Sequence, residues 1–293
     1  MTHRFLPILF LALLPNFAFA DACVWKLTRQ SEVLYIGGTI HLLDEKNATL
    51  PEEYEAAYQK SDTIVFETSI AETETQEFID KLQASGTYTD GRNLTSILST
   101  ENYAALANAF RKYGLDLSPQ MTASFAVLVL TQIDLEVMGY TAEGVDKRYF
   151  VKASADGKKI LELESADDQL AIIAQMGEGY ENEFVSESLS ERERMHDLFD
   201  DMVASWRKGD LEEFWKISFA ETEERLPKLY RSLLLERNEK WIPLIEQISA
   251  QPGNAFVMVG AGHLPGETGV LKLLESKGYS VEPLRLPEPA LAE

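Results

Sequence analysis

Cysteine is all but missing from this chain: Cys23 is the one thiol in 293 residues. A lone thiol cannot close an internal disulfide, so the fold must rest on its packed core, and Cys23 is expected to be free or joined to another chain. It stands two residues past an expected processing site, in a segment expected to be mobile, which argues against a covalent thiol mechanism. Histidine is scarce too, with four in all, and 27 basic residues face 48 acidic ones for a formal net charge of −21. Such a surface repels phosphate backbones and anionic headgroups, which argues against nucleic-acid and membrane-surface binding. The H-E-x-x-H, G-x-S-x-G and P-loop signatures are absent, as is G-x-G-x-x-G after a strand.

What is present begins with a leader. Arg4, the apolar run at 6–14 (LPILFLALL) and Ala18-Phe19-Ala20 form a signal peptide over 1–20, with cleavage expected before Asp21. The run is too short for a stable membrane span, which takes roughly 20 apolar residues. Ala20-Asp21-Ala22 makes a poor lipobox for Cys23, so the expected location is periplasmic or secreted. Residues 21–286 suit one domain with a sizeable core, and the Pro- and Ala-rich tail 287–293 is expected to be disordered.

Within that domain, 33–40 (VLYIGGTI) reads as a buried strand ending in glycines, 50–60 as a helix with Pro51 at its start, and 62–67 as a second strand. This order suggests a βαβ unit with parallel strands. Helical patterns follow at 73–84, 100–113, 120–138 and 144–155, then a strand at 159–164 (KILELE). Residues 167–251 are helical almost throughout, with an apolar stripe over 184–206 and a long amphipathic stretch over 226–248 that contains Pro243. A strand at 255–260, a helix at 269–277 and a strand at 279–284 close the chain. The expected class is α/β, a central mixed sheet formed by N- and C-terminal strands with a large helical insertion over about 70–250.

Once the leader is removed, His41, His196 and His263 remain. His196 lies in a charged helical stretch and reads as an exposed residue. The other two share one context: Gly38-Thr39-Ile40-His41-Leu42 and Gly260-Ala261-Gly262-His263-Leu264, each an apolar strand running into Gly-x-x-His-Leu. Glycine lets the chain turn sharply, and the imidazole then projects at the carboxyl end of the strand, where open α/β sheets place their ligands. Glu67 and Glu164 end two other strands at matching points, whereas Glu162 faces the other side of its strand. Two imidazoles and a carboxylate make a hydrolytic metal set with an open position for water, so His41, His263 and Glu67 are the candidate ligands of a divalent ion. Glu164 would then take the proton of the water. Arg237 and Asn238 interrupt an apolar helix and could hold a substrate or developing negative charge, although a surface face with ion pairs such as Glu236–Lys240 is the slightly simpler explanation from sequence alone. Asp146 reads more readily as an acid at a helix N-terminus than as a site residue.

At these residues the sequence resembles the TraB/GumN family, which is related to the Tiki metalloproteases. The matching motifs are Gly38-Thr39-Ile40-His41 and Gly260-Ala261-Gly262-His263-Leu264-Pro265-Gly266-Glu267, with Val65-Phe66-Glu67, Gly144-Val145-Asp146, Leu163-Glu164-Ser165 and Glu236-Arg237-Asn238 between them. The resemblance implies a fold of the erythromycin-esterase and ChaN-like group. It also implies metal-dependent peptide-bond hydrolysis with manganese or cobalt, zinc being a further option. His41 and His263 correspond to the family's histidines, and Glu67, Glu164 and Arg237 to its polar positions. Relatives often carry further cysteines, so no structural disulfide carries over.

Three functions fit these residues. The first is an exported metal-dependent hydrolase acting on a peptide or a related acyl compound. The second is a non-catalytic protein that binds a peptide, a small molecule or haem in the same two-histidine pocket. The third uses the two histidines as a metal-free acid/base pair.

Overall fold

Short runs of apolar and β-branched residues between glycine- and asparagine-rich turns become six strands of one mixed sheet. In chain order these are β1 (Val24–Arg29), β2 (Glu32–Thr39), β3 (Thr63–Phe66), β4 (Lys159–Glu162), β5 (Ala255–Gly260) and β6 (Ser280–Pro283). Their order across the sheet is β4-β3-β5-β2-β1-β6. The structure, a computed structural model, describes residues 22–192 and 194–287, without the side chain of His196. The leader expected at 1–20 and the tail from 288 onward lie outside the described residues.

The sheet is α/β and mixed, and both ends of the described chain complete it, as the pattern of strands and helices implied. β2, β5, β3 and β4 run parallel, while β1 is antiparallel to β2 and to β6. Parallel strands covered on both faces read as continuous apolar runs, and β5 is buried from Ala255 to Val259. Because the four parallel strands share one direction, the residues that follow them, His41, His263, Glu67 and Glu164, emerge at one edge.

β1 was not read as a strand, and Cys23 is not in a mobile segment. Val24, Leu27 and Cys23 are fully buried. Arg29 pairs with Glu32 across a two-residue turn at Gln30 and Ser31, which makes β1 and β2 a hairpin. Alternation in Val24-Trp25-Lys26-Leu27-Thr28 was the available signal. Gly38 is required here, because any side chain at that position would collide with the Cys23 sulfur.

Tyr54, from the helix Glu52–Gln59, and Trp206, from the helix Met195–Arg207, seal the core over this hairpin. The Trp206 indole N–H donates to Gly38 O at 2.7 Å, and the Tyr54 hydroxyl donates to the same carbonyl. A second apolar cluster in the helical insertion includes Leu94, Leu106, Phe110, Leu130 and Phe184. Asp134, which interrupts the most apolar helix, is buried there against Arg192 and the Tyr113 hydroxyl. The stripe over 184–206 is divided between two helices, Glu181–Arg192 and Met195–Arg207. The stretch 226–248 holds a helix (Pro227–Tyr230), a π-helical turn (Arg231–Leu235) and the helix Glu236–Ser249, which contains Pro243. Among the described residues no helix is long and apolar enough to cross a membrane.

Candidate active site

Four strand ends and two helix starts build the site. His41 follows β2, and its Nδ1 lies 3.0 Å from Asp146 Oδ2 in the first turn of the helix Val145–Ala155. Gly144 permits this, because a Cβ there would run into the backbone of Ile40 and His41, and Val145 N–H donates to Ile40 O at 3.0 Å. The His41 side chain is 60% exposed. The charge of Asp146 raises its pKa to about 9, against an opposing effect of desolvation. Asp146, read as a helix-start acid, therefore belongs to the site; that reading was equally compatible with its position, since acids are favoured at helix N-termini.

His263 follows β5 and is buried. Its Nδ1 lies 2.6 Å from Asn238 Oδ1, while the Asn238 amide nitrogen donates to the carbonyls of Thr268 (2.9 Å) and His263 (3.4 Å). With that nitrogen committed, Asn238 Oδ1 must be the acceptor, so His263 carries its proton on Nδ1 and its lone pair on Nε2. Trp241 packs against the ring at a tilt of 42°, with centroids 4.4 Å apart. Burial lowers the His263 pKa to about 3, so the ring is neutral.

Glu67 follows β3. Its Oε1 accepts from Gly260 N–H at 2.5 Å and its Oε2 from Arg237 Nη2 at 2.5 Å. Burial works against its charged form, yet its pKa is held below the ordinary carboxylate value. A charged His263 would contribute most to that, but the ring is neutral, so the Arg237 guanidinium, the charged His41 ring and the Gly260 amide outweigh desolvation. Glu164, past β4, accepts from Arg237 Nη2 at 2.7 Å, from Arg237 Nε at 3.1 Å and from the Trp241 indole at 3.2 Å. Arg237, Asn238 and Trp241 share one face of the helix Glu236–Ser249 and reach the sheet edge together. They are not a solvated surface row.

Every sequence-derived site residue thus joins one cluster. The position of Gly260 marks its centre: a Cβ there would lie 3.2 Å from Glu67 Oε1 and 3.8 Å from His41 Nε2. His263 Nε2 is 3.7 Å from Glu67 Oε1. His41 stands off, since His41, Glu67 and His263 do not bring ligand atoms within 4.8 Å of one another. Three buried oxygens at this edge lack partners, namely Thr39 Oγ1, Thr68 Oγ1 and Asp146 Oδ1. A cleft of about 290 Å³ opens beside Arg237, Glu164 and Trp241, floored by Leu163, Ala171 and Ile172. Another cleft, of about 240 Å³, lies among the inserted helices near Tyr88 and Arg92 and touches none of these residues.

A profile of the TraB/PrgY/gumN family matches residues 23–283, nearly all that the structure describes. The chain belongs to the TraB/PrgY/gumN family. Two curated relatives are both named Uncharacterized protein YbaP, one from Escherichia coli (strain K12) and one from Shigella flexneri. Each is 24% identical over 251 residues, covering 81% of this chain and 86% of the relative. No solved structure matches. The two Gly-x-x-His turns that gave this TraB/PrgY/gumN chain its family resemblance are the ones that carry His41 and His263.

Proposed function

We propose that this chain is an exported, metal-dependent hydrolase that cleaves a peptide or related acyl bond, with His41, His263 and Glu67 as the ligands of a divalent ion such as manganese, cobalt or zinc. The observation that carries the reading is the matched tethering of the two rings. Each imidazole is fixed at Nδ1 by a side-chain oxygen, Asp146 for His41 and Asn238 for His263. Such tethers orient metal-bound histidines and leave Nε2 as the ligating atom.

The donor set fits a divalent ion in kind and in charge. Glu67, Glu164 and Asp146 bring three negative charges against the positive charges of Arg237 and of His41, which is protonated at neutral pH, while His263 is neutral. An ion bound at His41 would displace that proton and leave Arg237 as the single positive side chain against the three carboxylates. The unpartnered oxygen of Asp146 and those of Thr39 and Thr68 add polar atoms that lack a satisfying neighbour. A divalent ion supplies Lewis-acid polarisation of a carbonyl and lowers the pKa of water. The chain's own part is to orient the two rings, to hold Glu67 ionised and to keep this edge of the sheet closed beneath Trp241. In this reading Glu164 anchors Arg237 rather than carrying a proton, because both its oxygens are already bonded.

A second reading is metal-free, with the His41–Asp146 pair as the proton-transfer group, His41 being protonated below about pH 9 and so placed to act as general acid. It is favoured by one contact, Arg237 Nη1 at 3.1 Å from His263 Nε2, which engages a nitrogen that an ion would need. Metal analysis of the purified protein, with cleavage of a mixed peptide library followed by mass spectrometry, tests both. The metal reading expects a bound ion, loss of cleavage on chelation, and loss of both in His41→Ala and in His263→Ala. Cleavage that survives chelation moves the assignment to the His41–Asp146 pair. A protein that binds peptide or haem and returns it intact sinks the hydrolase altogether.

A further inference from the structure

We infer that Arg237 is the resident cation of this site: a positioning residue with no donor left for substrate, whose hold on His263 a divalent ion must break. The side chain is 11% exposed and each of its N–H groups has an acceptor. Nε–H donates to Glu164 Oε2 at 3.1 Å. Nη1 donates to Leu233 O and to His263 Nε2, both at 3.1 Å. Nη2 donates to Glu67 Oε2 at 2.5 Å and to Glu164 Oε1 at 2.7 Å. A guanidinium has five N–H donors, so the set is complete.

Two consequences follow from this saturation. Arg237 cannot orient a substrate, as its residue type suggested, without first giving up a contact inside the protein. His263 has one lone pair, on Nε2, and Arg237 occupies it, so an ion at that atom and the present hydrogen bond exclude each other. The π-helical turn at Arg231–Leu235 lies directly before this residue, and Leu233 within it supplies one of the five acceptors. Such turns break the regular α-helical pairing of backbone groups. Arg237 is thus held from the sheet side by two carboxylates and from its own helix by a carbonyl.

The test uses the full chain and its Arg237→Ala variant. Melting temperature is measured with guanidinium chloride in the tens of millimolar and with sodium chloride at equal ionic strength, and manganese, cobalt and zinc chlorides are titrated calorimetrically into both proteins. The variant is expected to melt lower, to regain part of the loss with guanidinium but not with sodium, and to bind a divalent ion at least about tenfold tighter than the wild type. The ¹⁵N resonance of His263 Nε2 should move to that of an unbonded, lone-pair nitrogen in the variant, which a packing role would not produce. The ion arm rests on the metal reading above, whereas the guanidinium arm does not. Guanidinium rescue with no ion bound by either protein keeps Arg237 as the resident cation and removes the metal. Equal ion affinity in the two proteins overturns the competition, and no rescue beyond sodium overturns the inference itself. If Arg237→Ala does not fold, the comparison is Arg237→Gln against Arg237→Gln/Glu67→Gln. The double variant, with one buried carboxylate neutralised, should be the more stable, and the opposite order is fatal to the idea.

Discussion

His41 Nδ1 and Asp146 Oδ2 are 3.0 Å apart across 105 residues of chain. Neither residue lies in regular strand structure. One follows the end of β2 and the other sits in the first turn of a helix whose start abuts the His41 backbone. The contact exists because Gly144 leaves room for that approach, and it fixes the one exposed imidazole of the site.

Asp146→Ala should therefore act through His41 rather than through the fold. Removing an outer partner of a ligating or catalytic histidine costs about 10–100-fold in metal affinity or activity. Ion titration and peptide cleavage by the variant, beside an unchanged far-ultraviolet dichroism spectrum, are the measurements. Unaltered affinity and activity would reduce Asp146 to a helix-start acid.

Gly144→Ala should displace the helix start, since the added carbon meets the Ile40 and His41 backbone, which cannot swing aside as a side-chain tip can. A loss of about 1–3 kcal/mol is expected for such overpacking. Urea denaturation reads it, and the His41–Asp146 contact should weaken in parallel. A variant as stable as the wild type would contradict the close approach.

Glu32 offers a pH test remote from the site. Burial acts to raise its pKa, but the hydroxyls of Ser249 (2.9 Å) and Tyr279 (3.0 Å) together with Arg29 (3.2 Å) hold it below its ordinary value of 4.5. A carboxylate depressed in the folded state contributes stability that is fully present above the unfolded value and disappears as the pH falls through the folded one. Glu32→Gln should cost about 1 kcal/mol at neutral pH and progressively less below pH about 4.5. Urea midpoints of the two proteins between neutral and acid pH check this, and parallel curves would refute it.

Cys23 is fully buried, and desolvation drives its thiol pKa far up. The native protein should therefore resist an aromatic disulfide reagent and stay free of intermolecular disulfides, and labelling should follow global unfolding. Rapid labelling without denaturant would place Cys23 at the surface, against its packing under Gly38.

Periodicity and turn chemistry made much of this fold legible in one dimension. The runs before Gly38 and Gly260 are apolar for strand length, and the long amphipathic stretches of the middle carry a helical period, so local pattern alone separates sheet from insertion. The repeated Gly-x-x-His turn also marked His41 and His263 without any knowledge of their distance. Strand β1 escaped notice because six residues of weak alternation beside an expected leader resemble a flexible start, and only pairing with β2 and β6 makes them a strand.

What the chain could not reveal locally is which charges meet. Asp146 at a helix start, Glu164 after a short strand and Arg237 amid leucines each have an ordinary solvated alternative, and nothing within a few residues decides between them. The parallel order of β2, β5, β3 and β4 decides it, because it gathers four strand ends at one edge. The helix Glu236–Ser249 then lays a guanidinium among them. Electrostatics and desolvation depend on neighbours distant in sequence, so the protonation of His263, the ionisation of Glu67 and the saturation of Arg237 are properties of the tertiary structure alone.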